Sequence, residues 1–128
     1  MSQGGSGSRG RRRLSRSGDF ERVYREGSSR SNRYLVLYDF DRGNTEEGCQ
    51  RLGVSVGRRV GGAVDRNRVK RVLREAFWEM TDHLPDTRDY VLVARAEAAE
   101  LVENEGKDGV LRCIEEILPD SPREGRST

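Results

Sequence analysis

The chain has 128 residues, 36% of them charged and 33% hydrophobic, with a formal net charge of +2 and two cysteines. That length suits one domain, and no apolar run approaches the ~20 residues of a membrane span or follows the basic N-terminus as a secretory signal requires. Cys49 and Cys113 have no metal-ligand spacing and His83 is the single histidine, so neither a zinc centre nor a histidine-dependent triad is indicated.

The small net charge conceals an asymmetry. Residues 1–80 carry 18 Lys+Arg against 10 Asp+Glu, or +8, whereas residues 81–128 carry 6 against 12, or −6. A basic front and an acidic rear suggest a polyanionic partner. Lys70 and Lys107 are the only lysines, a usage that genomic bias explains at least as simply as selection for guanidinium forks.

Residues 1–13, "MSQGGSGSRGRRR", and 119–128, "PDSPREGRST", offer little apolar surface to offset chain entropy. Both are expected to be mobile tails around a domain at 14–118. "SGDFERVYREG" (17–27) predicts a short helix, with Ser17 or Asp19 as cap, Phe20, Val23 and Tyr24 on one face and Gly27 as stop. "RYLVLYDF" (33–40) has strand composition and period two, placing Tyr34, Val36, Tyr38 and Phe40 opposite Leu35 and Leu37. The polar stretch 41–48 is a turn or loop.

"RLGVSVG" (51–57) is a second strand, with Leu52, Val54 and Val56 on one face and only Gly53, Ser55 and Gly57 on the other. A strand face without bulk implies close approach by something, either a packed helix or a ligand. A helix over 62–81 follows, its core stripe formed by Val69, Val72, Leu73, Ala76, Phe77 and Met80 across roughly 140°. After a break at "LPDT" (84–87), "DYVLVARA" (89–96) is a third strand. Val110, Leu111, Ile114, Ile117 and Leu118 then repeat at helical spacing up to Pro119. The order α-β-β-α-β-α predicts an α/β sandwich with a small sheet.

The helix at 62–81 carries the functional signal. Arg66, Asn67, Lys70, Arg71 and Arg74 share an arc of roughly 140°, with Arg68 at its border. Exposed helix faces usually mix charges, yet this one has no acid until Glu75. Arg66, Lys70 and Arg74 repel one another at four-residue spacing, and the helix dipole disfavours cations in the N-terminal half. With Arg58 and Arg59, seven basic residues stand against the single acid Asp65 between positions 58 and 74. Such a face suits a nucleic-acid backbone better than bare water.

"LGVSVGRRVGGAVDRNRVKRVLREAF" (52–77) resembles the signature of the bacterial ribonuclease P protein family, with its "RNR" motif at Arg66-Asn67-Arg68. The likeness extends through "LSRSGDFERVYREG", "YLVLYDF" and "DYVLVARAEAAEL", covering roughly residues 14–118. It implies a ribosomal-S5-like two-layer α/β sandwich with a left-handed βαβ crossover, against the usual right-handed rule. It also implies a cytoplasmic protein subunit of an endoribonuclease whose catalytic RNA, with Mg²⁺, removes the 5′ leader of precursor tRNA. No protein side chain is then catalytic and no protein metal site is expected. The partners implied are that catalytic RNA and precursor tRNA, without membrane or DNA. Arg58, Arg59, Arg66, Asn67, Arg68, Lys70, Arg71 and Arg74 would face RNA, and Phe20, Tyr24 and Tyr38 would line a cleft for the leader.

Departures are few. Residues 57–59 are Gly-Arg-Arg where the family often has Ser-Lys-Lys, and Asp65 either caps the helix or orients Arg68. The competing reading is a general RNA-binding or ribosome-assembly protein sharing the fold. A DNA-binding helix module lacks its paired helix, and a protein-only nuclease lacks clustered carboxylates. His83 and Trp78 are expected to be structural.

Overall fold

The computed structural model describes residues 11–14, 16–42, 50–80 and 88–118. The loop expected at 41–48 lies mostly outside them, as do Cys49, His83, "LPDT" and the C-terminal tail.

The elements are β1 (Arg11–Arg13), α1 (Ser17–Glu26), β2 (Ser28–Ser31), β3 (Leu35–Asp41), β4 (Gln50–Val56), α2 (Ala63–Met80), β5 (Arg88–Ala94) and α3 (Ala98–Ile117). They build a five-stranded sheet in the order β1-β4-β5-β3-β2. β4 lies parallel to β1 and β5, whereas β3 runs antiparallel to β5 and β2. α2 thus crosses over between the neighbouring parallel strands β4 and β5.

Period two in the strands splits the protein into two cores. Leu35 and Leu37 of β3, Leu52 and Val56 of β4, and Tyr90 and Leu92 of β5 meet Val69, Leu73, Ala76 and Phe77 of α2 and Val110 and Ile114 of α3. Val72 and Met80 flank them, completing the expected stripe. Burying each large side chain contributes about 1.5–3 kcal/mol. On the opposite face α1 covers a smaller cluster of Leu14, Val23 and Val91, with Phe20, Tyr38, Phe40 and Val93 packed around it.

Several local expectations need correction. Arg11–Arg13, expected within a mobile N-terminal tail, pair with Gln50–Leu52 as an edge strand. Ser28–Ser31 form a further edge strand, exposed at every residue, that composition does not reveal. Neither edge strand carries apolar residues, so no alternation betrays it. Arg16 holds the cap position of α1 without a side-chain bond, in place of Ser17 or Asp19. Asp19 instead sits in the first turn, where a carboxylate favours the helix dipole, and pairs with Arg22 at 3.0 Å.

Gly27 does end α1, but by close approach. A Cβ there would fall 2.4 Å from the Asp39 carbonyl oxygen and 2.6 Å from that of Val23. Tyr34 precedes β3 and packs on the larger core, not beside Tyr38. The third predicted strand ends at Ala94 and α3 begins at Ala98, twelve residues before the apolar repeat at Val110. Gly106, at φ 64° and ψ −154°, kinks α3 between its two halves. Only glycine takes that conformation readily.

Asn32 closes the β2–β3 turn. Its side-chain oxygen accepts from the backbone N–H groups of Tyr34 and Leu35, each at 3.0 Å. Its amide nitrogen donates to the Cys113 carbonyl and to Glu116 Oε1, also at 3.0 Å.

Candidate nucleic-acid interface

The basic surface starts at the end of β4. Val60 N–H donates to the Gly57 carbonyl at 3.1 Å and Gly61 N–H to that of Arg58 at 3.2 Å, closing a tight turn. Val60 is buried in the larger core, so the turn holds Arg58 and Arg59 out in solvent. Gly61 at φ 155° leads into α2, with the Asp65 carboxylate folded back over it. Among the described residues Asp65 makes no ion pair with Arg68, so neither of its expected roles is realised as a side-chain contact. Its negative charge in the first turn still interacts favourably with the helix dipole.

Along α2, Asn67 and Arg71 are exposed and Arg66, Arg68, Lys70 and Arg74 are half-buried. The Nε atoms of Arg66, Arg68 and Arg74 are shielded from solvent and have no hydrogen-bond partner. Burial, reinforced by the nearby charge of Arg13, pushes the Arg74 guanidinium pKa below its usual value. Ion pairs are concentrated away from this face, although Arg13, Arg16, Arg30 and Arg95 elsewhere also lack one among the described residues. Arg22, Arg25, Arg33, Arg42, Arg51, Arg88, Lys107 and Arg112 all pair with carboxylates. Among the described residues, none of the seven cations between positions 58 and 74 does.

A row of aromatic rings lies on the other face of the sheet. Phe20 and Tyr24 of α1 have centroids 6.3 Å apart, and Tyr24 meets Tyr38 of β3 edge-on at 4.8 Å. Tyr24 is 40% exposed, whereas Phe20 and Tyr38 are half-buried. Burial raises the Tyr24 phenol above its ordinary pKa, partly countered by a hydrogen bond with Ser55. The bulk-free face of β4 lies beside this row. Phe20 fills the space over Gly53, whereas a Cβ on Gly57 would meet nothing within 4 Å. Half of that face therefore receives a packed helix and half stays open.

The open half borders a cleft of about 510 Å³ lined by Ser55, Gly57, Arg58, Arg59, Val93 and Arg95, among others. The geometry thus brings Arg58 and Arg59 to the cleft and carries the same basic turn into α2. Arg95 escapes a sequence reading because "VLVARA" looks simply like the end of a strand. Its backbone N–H donates to the Tyr34 carbonyl at 2.8 Å, which fixes where it leaves the sheet.

A buried ionic chain that seats α1 is equally hidden in the sequence. Asp89 accepts from Arg51 Nε and Nη2 at 2.7 Å each and from Arg42 Nη1 at 2.5 Å. Arg51 Nη1 reaches Asp19 at 3.5 Å, which also holds Arg22. The Asp89 and Arg42 side chains are 0% and 5% exposed. Arg51 and Asp89 are Cα partners across β4 and β5, a relationship visible only once the register is known.

Among the described residues no three His, Cys, Asp or Glu side chains cluster to hold a metal ion. No described helix is long and apolar enough to cross a membrane.

Comparison with known proteins identifies this arrangement. The family model for ribonuclease P matches residues 9–118. The chain is 41% identical over 97 residues to the ribonuclease P protein component of Bacillus pumilus, covering 76% of this chain and 80% of that protein. A Geobacillus counterpart is 38% identical over 102 residues, covering 80% and 86%. The Staphylococcus aureus RNase P protein structure aligns with TM-score 0.69 at 33% identity, over 81% of this chain and 89% of that one. The Thermotoga maritima protein gives TM-score 0.69 at 31% identity, over 80% and 90%. The chain belongs to the ribonuclease P protein family, a protein component of the ribonucleoprotein endoribonuclease that processes tRNA precursors.

Proposed function

We propose that the face of α2 bearing Arg66, Asn67, Arg68, Lys70, Arg71 and Arg74, with Arg58 and Arg59, binds the catalytic RNA, and that Phe20, Tyr24 and Tyr38 line the path of the precursor-tRNA leader. The observation that carries this reading is that, among the described residues, all seven cations between positions 58 and 74 lack a carboxylate partner, whereas most cations elsewhere have one. Like charges at four-residue spacing cost stability in the free protein and are relieved by phosphates. Partly exposed rings suit a single strand, because every base offers a face for stacking whatever its identity.

In this reading Mg²⁺ acts with the RNA component, as the family resemblance implies. The protein's part is to neutralise phosphates and to hold the leader. In this reading the holoenzyme works in the cytoplasm, where precursor tRNA is made.

Mixing the protein with precursor tRNA, with and without the cognate catalytic RNA in Mg²⁺, tests the assignment. Cleavage is expected only in the complete mixture. Cleavage by the protein alone would overturn it.

A further inference from the structure

The N-terminal arginine strand is not absorbed by the functions above. β1 is three arginines long and pairs in parallel with β4, Arg13 opposite Leu52. The next residue anchors it, since Leu14 N–H donates to the Leu52 carbonyl at 2.8 Å and its side chain is buried beside Val23 and Val91. Leu14 therefore points to the α1 side of the sheet. By strand alternation Arg13 stands on the other side, the one α2 covers. There it lies near enough to Arg74 for its positive charge to act on that guanidinium.

This placement needs a reason. Arg13 is exposed, and among the described residues neither it nor Arg74 has an ion pair. Cations on an edge strand do discourage edge-to-edge aggregation, but that purpose is served by any charge facing water. It does not require a cation ordered beside one of the helix. An arm that was free would swing away from Arg74; this one is fastened by Leu14 so that it does not.

We propose that Arg13 and Arg74 form one phosphate-binding site, by which the N-terminal strand extends the basic face of α2 across the sheet edge onto the catalytic RNA. The inference rests on the reading that α2 faces that RNA. A bridging phosphate removes the repulsion between the two guanidinium groups and accepts charge-assisted hydrogen bonds from both.

The test compares Arg13→Gln, Arg13→Lys, Lys70→Ala and the wild-type chain, measuring affinity for the catalytic RNA across a salt series. Arg13→Gln is expected to reduce the slope of log K against log salt by about 0.7–0.9, with Arg13→Lys restoring it. Melting temperature should not fall, and affinity for precursor tRNA without the catalytic RNA should be unchanged. A normal slope in Arg13→Gln beside a reduced one in Lys70→Ala overturns the proposal and leaves the α2 reading standing. Normal slopes in both overturn the two together. A slope change seen only with precursor tRNA assigns Arg13 to the substrate, and a lower melting temperature at constant slope makes it an edge-strand residue; either outcome overturns the proposal.

Discussion

Phe20 lies so close over Gly53 that a Cβ on residue 53 would fall 2.4 Å from its Cζ and 2.6 Å from its Cε1. α1 settles onto the sheet at this point, and Tyr24 is carried one turn further along the same helix. Gly53→Val should displace the ring and tilt α1, costing about 1–3 kcal/mol as overpacking does. Leader-bearing precursor tRNA should then lose affinity more than mature tRNA does. Phe20→Leu in the same chain should recover part of that stability, measured by urea unfolding. An undiminished melting temperature in Gly53→Val alone would show that the ring moves freely.

The cations of α2 are separable from its fold. A triple Arg66→Ala, Lys70→Ala, Arg74→Ala variant should lower the salt slope of binding to the catalytic RNA by about 0.7–0.9 for each phosphate no longer neutralised. Its melting temperature should hold or rise, because repulsion along the helix has been removed. An unchanged slope would mean that this face is merely solvated.

Asn67 sits exposed among those cations without a charge of its own. Asn67→Ala is therefore expected to impair holoenzyme assembly or cleavage while leaving the salt slope nearly intact. A fall in slope equal to that of Lys70→Ala would contradict a geometric role.

Tyr24→Ala and Tyr38→Ala should each weaken leader-bearing precursor tRNA by roughly tenfold, within the ~1–3 kcal/mol per stacked base. Mature tRNA should be nearly unaffected. Tyr24→Phe keeps the ring and removes only the Ser55 hydrogen bond, so it should resemble wild type. Because burial raises the Tyr24 pKa, the phenol stays neutral, and its contribution should be flat between about pH 6 and 9. Equal losses on both tRNAs would make these rings core residues.

Asp89 is the hub of the ionic chain that seats α1. Asp89→Ala removes the buried carboxylate that Arg42 and Arg51 share and should cost about 3–5 kcal/mol. Urea unfolding measures it, and a loss under about 1 kcal/mol would show that water reaches both guanidinium groups.

What the sequence discloses follows from periodicity. The core stripe and the basic arc of α2 both repeat at 3.6 residues, so a wheel separates them. Leu35, Leu37, Leu52 and Val56 declare their face by alternation. β1 and β2 stay hidden, because an edge strand of Arg or Ser is defined by backbone pairing alone. Gly27 stands where a helix stop is expected, yet the cause is not its conformation but the Asp39 carbonyl, on a residue twelve positions away. Within the candidate site, helix spacing puts Phe20 and Tyr24 on one face, whereas the place of Tyr38 beside them is implied only by the family resemblance. Arg95 and the Arg51–Asp89 pair depend on register, which no local pattern encodes.

Asn32 reaches across 81 residues of sequence to grip the Cys113 carbonyl. The sheet face formed by Leu35, Leu52 and Leu92 is likewise closed by Ile114 and Val110 of the last helix. During synthesis, therefore, a nascent chain halted before residue 98 exposes a greasy sheet that only α2 partly shields. Pairings of such long sequence separation form late and slow folding, which leaves that surface open to aggregation. Release of α3 from the ribosome should be the event that converts the emerging chain into a protease-resistant domain, and chains truncated ahead of α3 should be recovered bound to chaperones or in inclusion bodies.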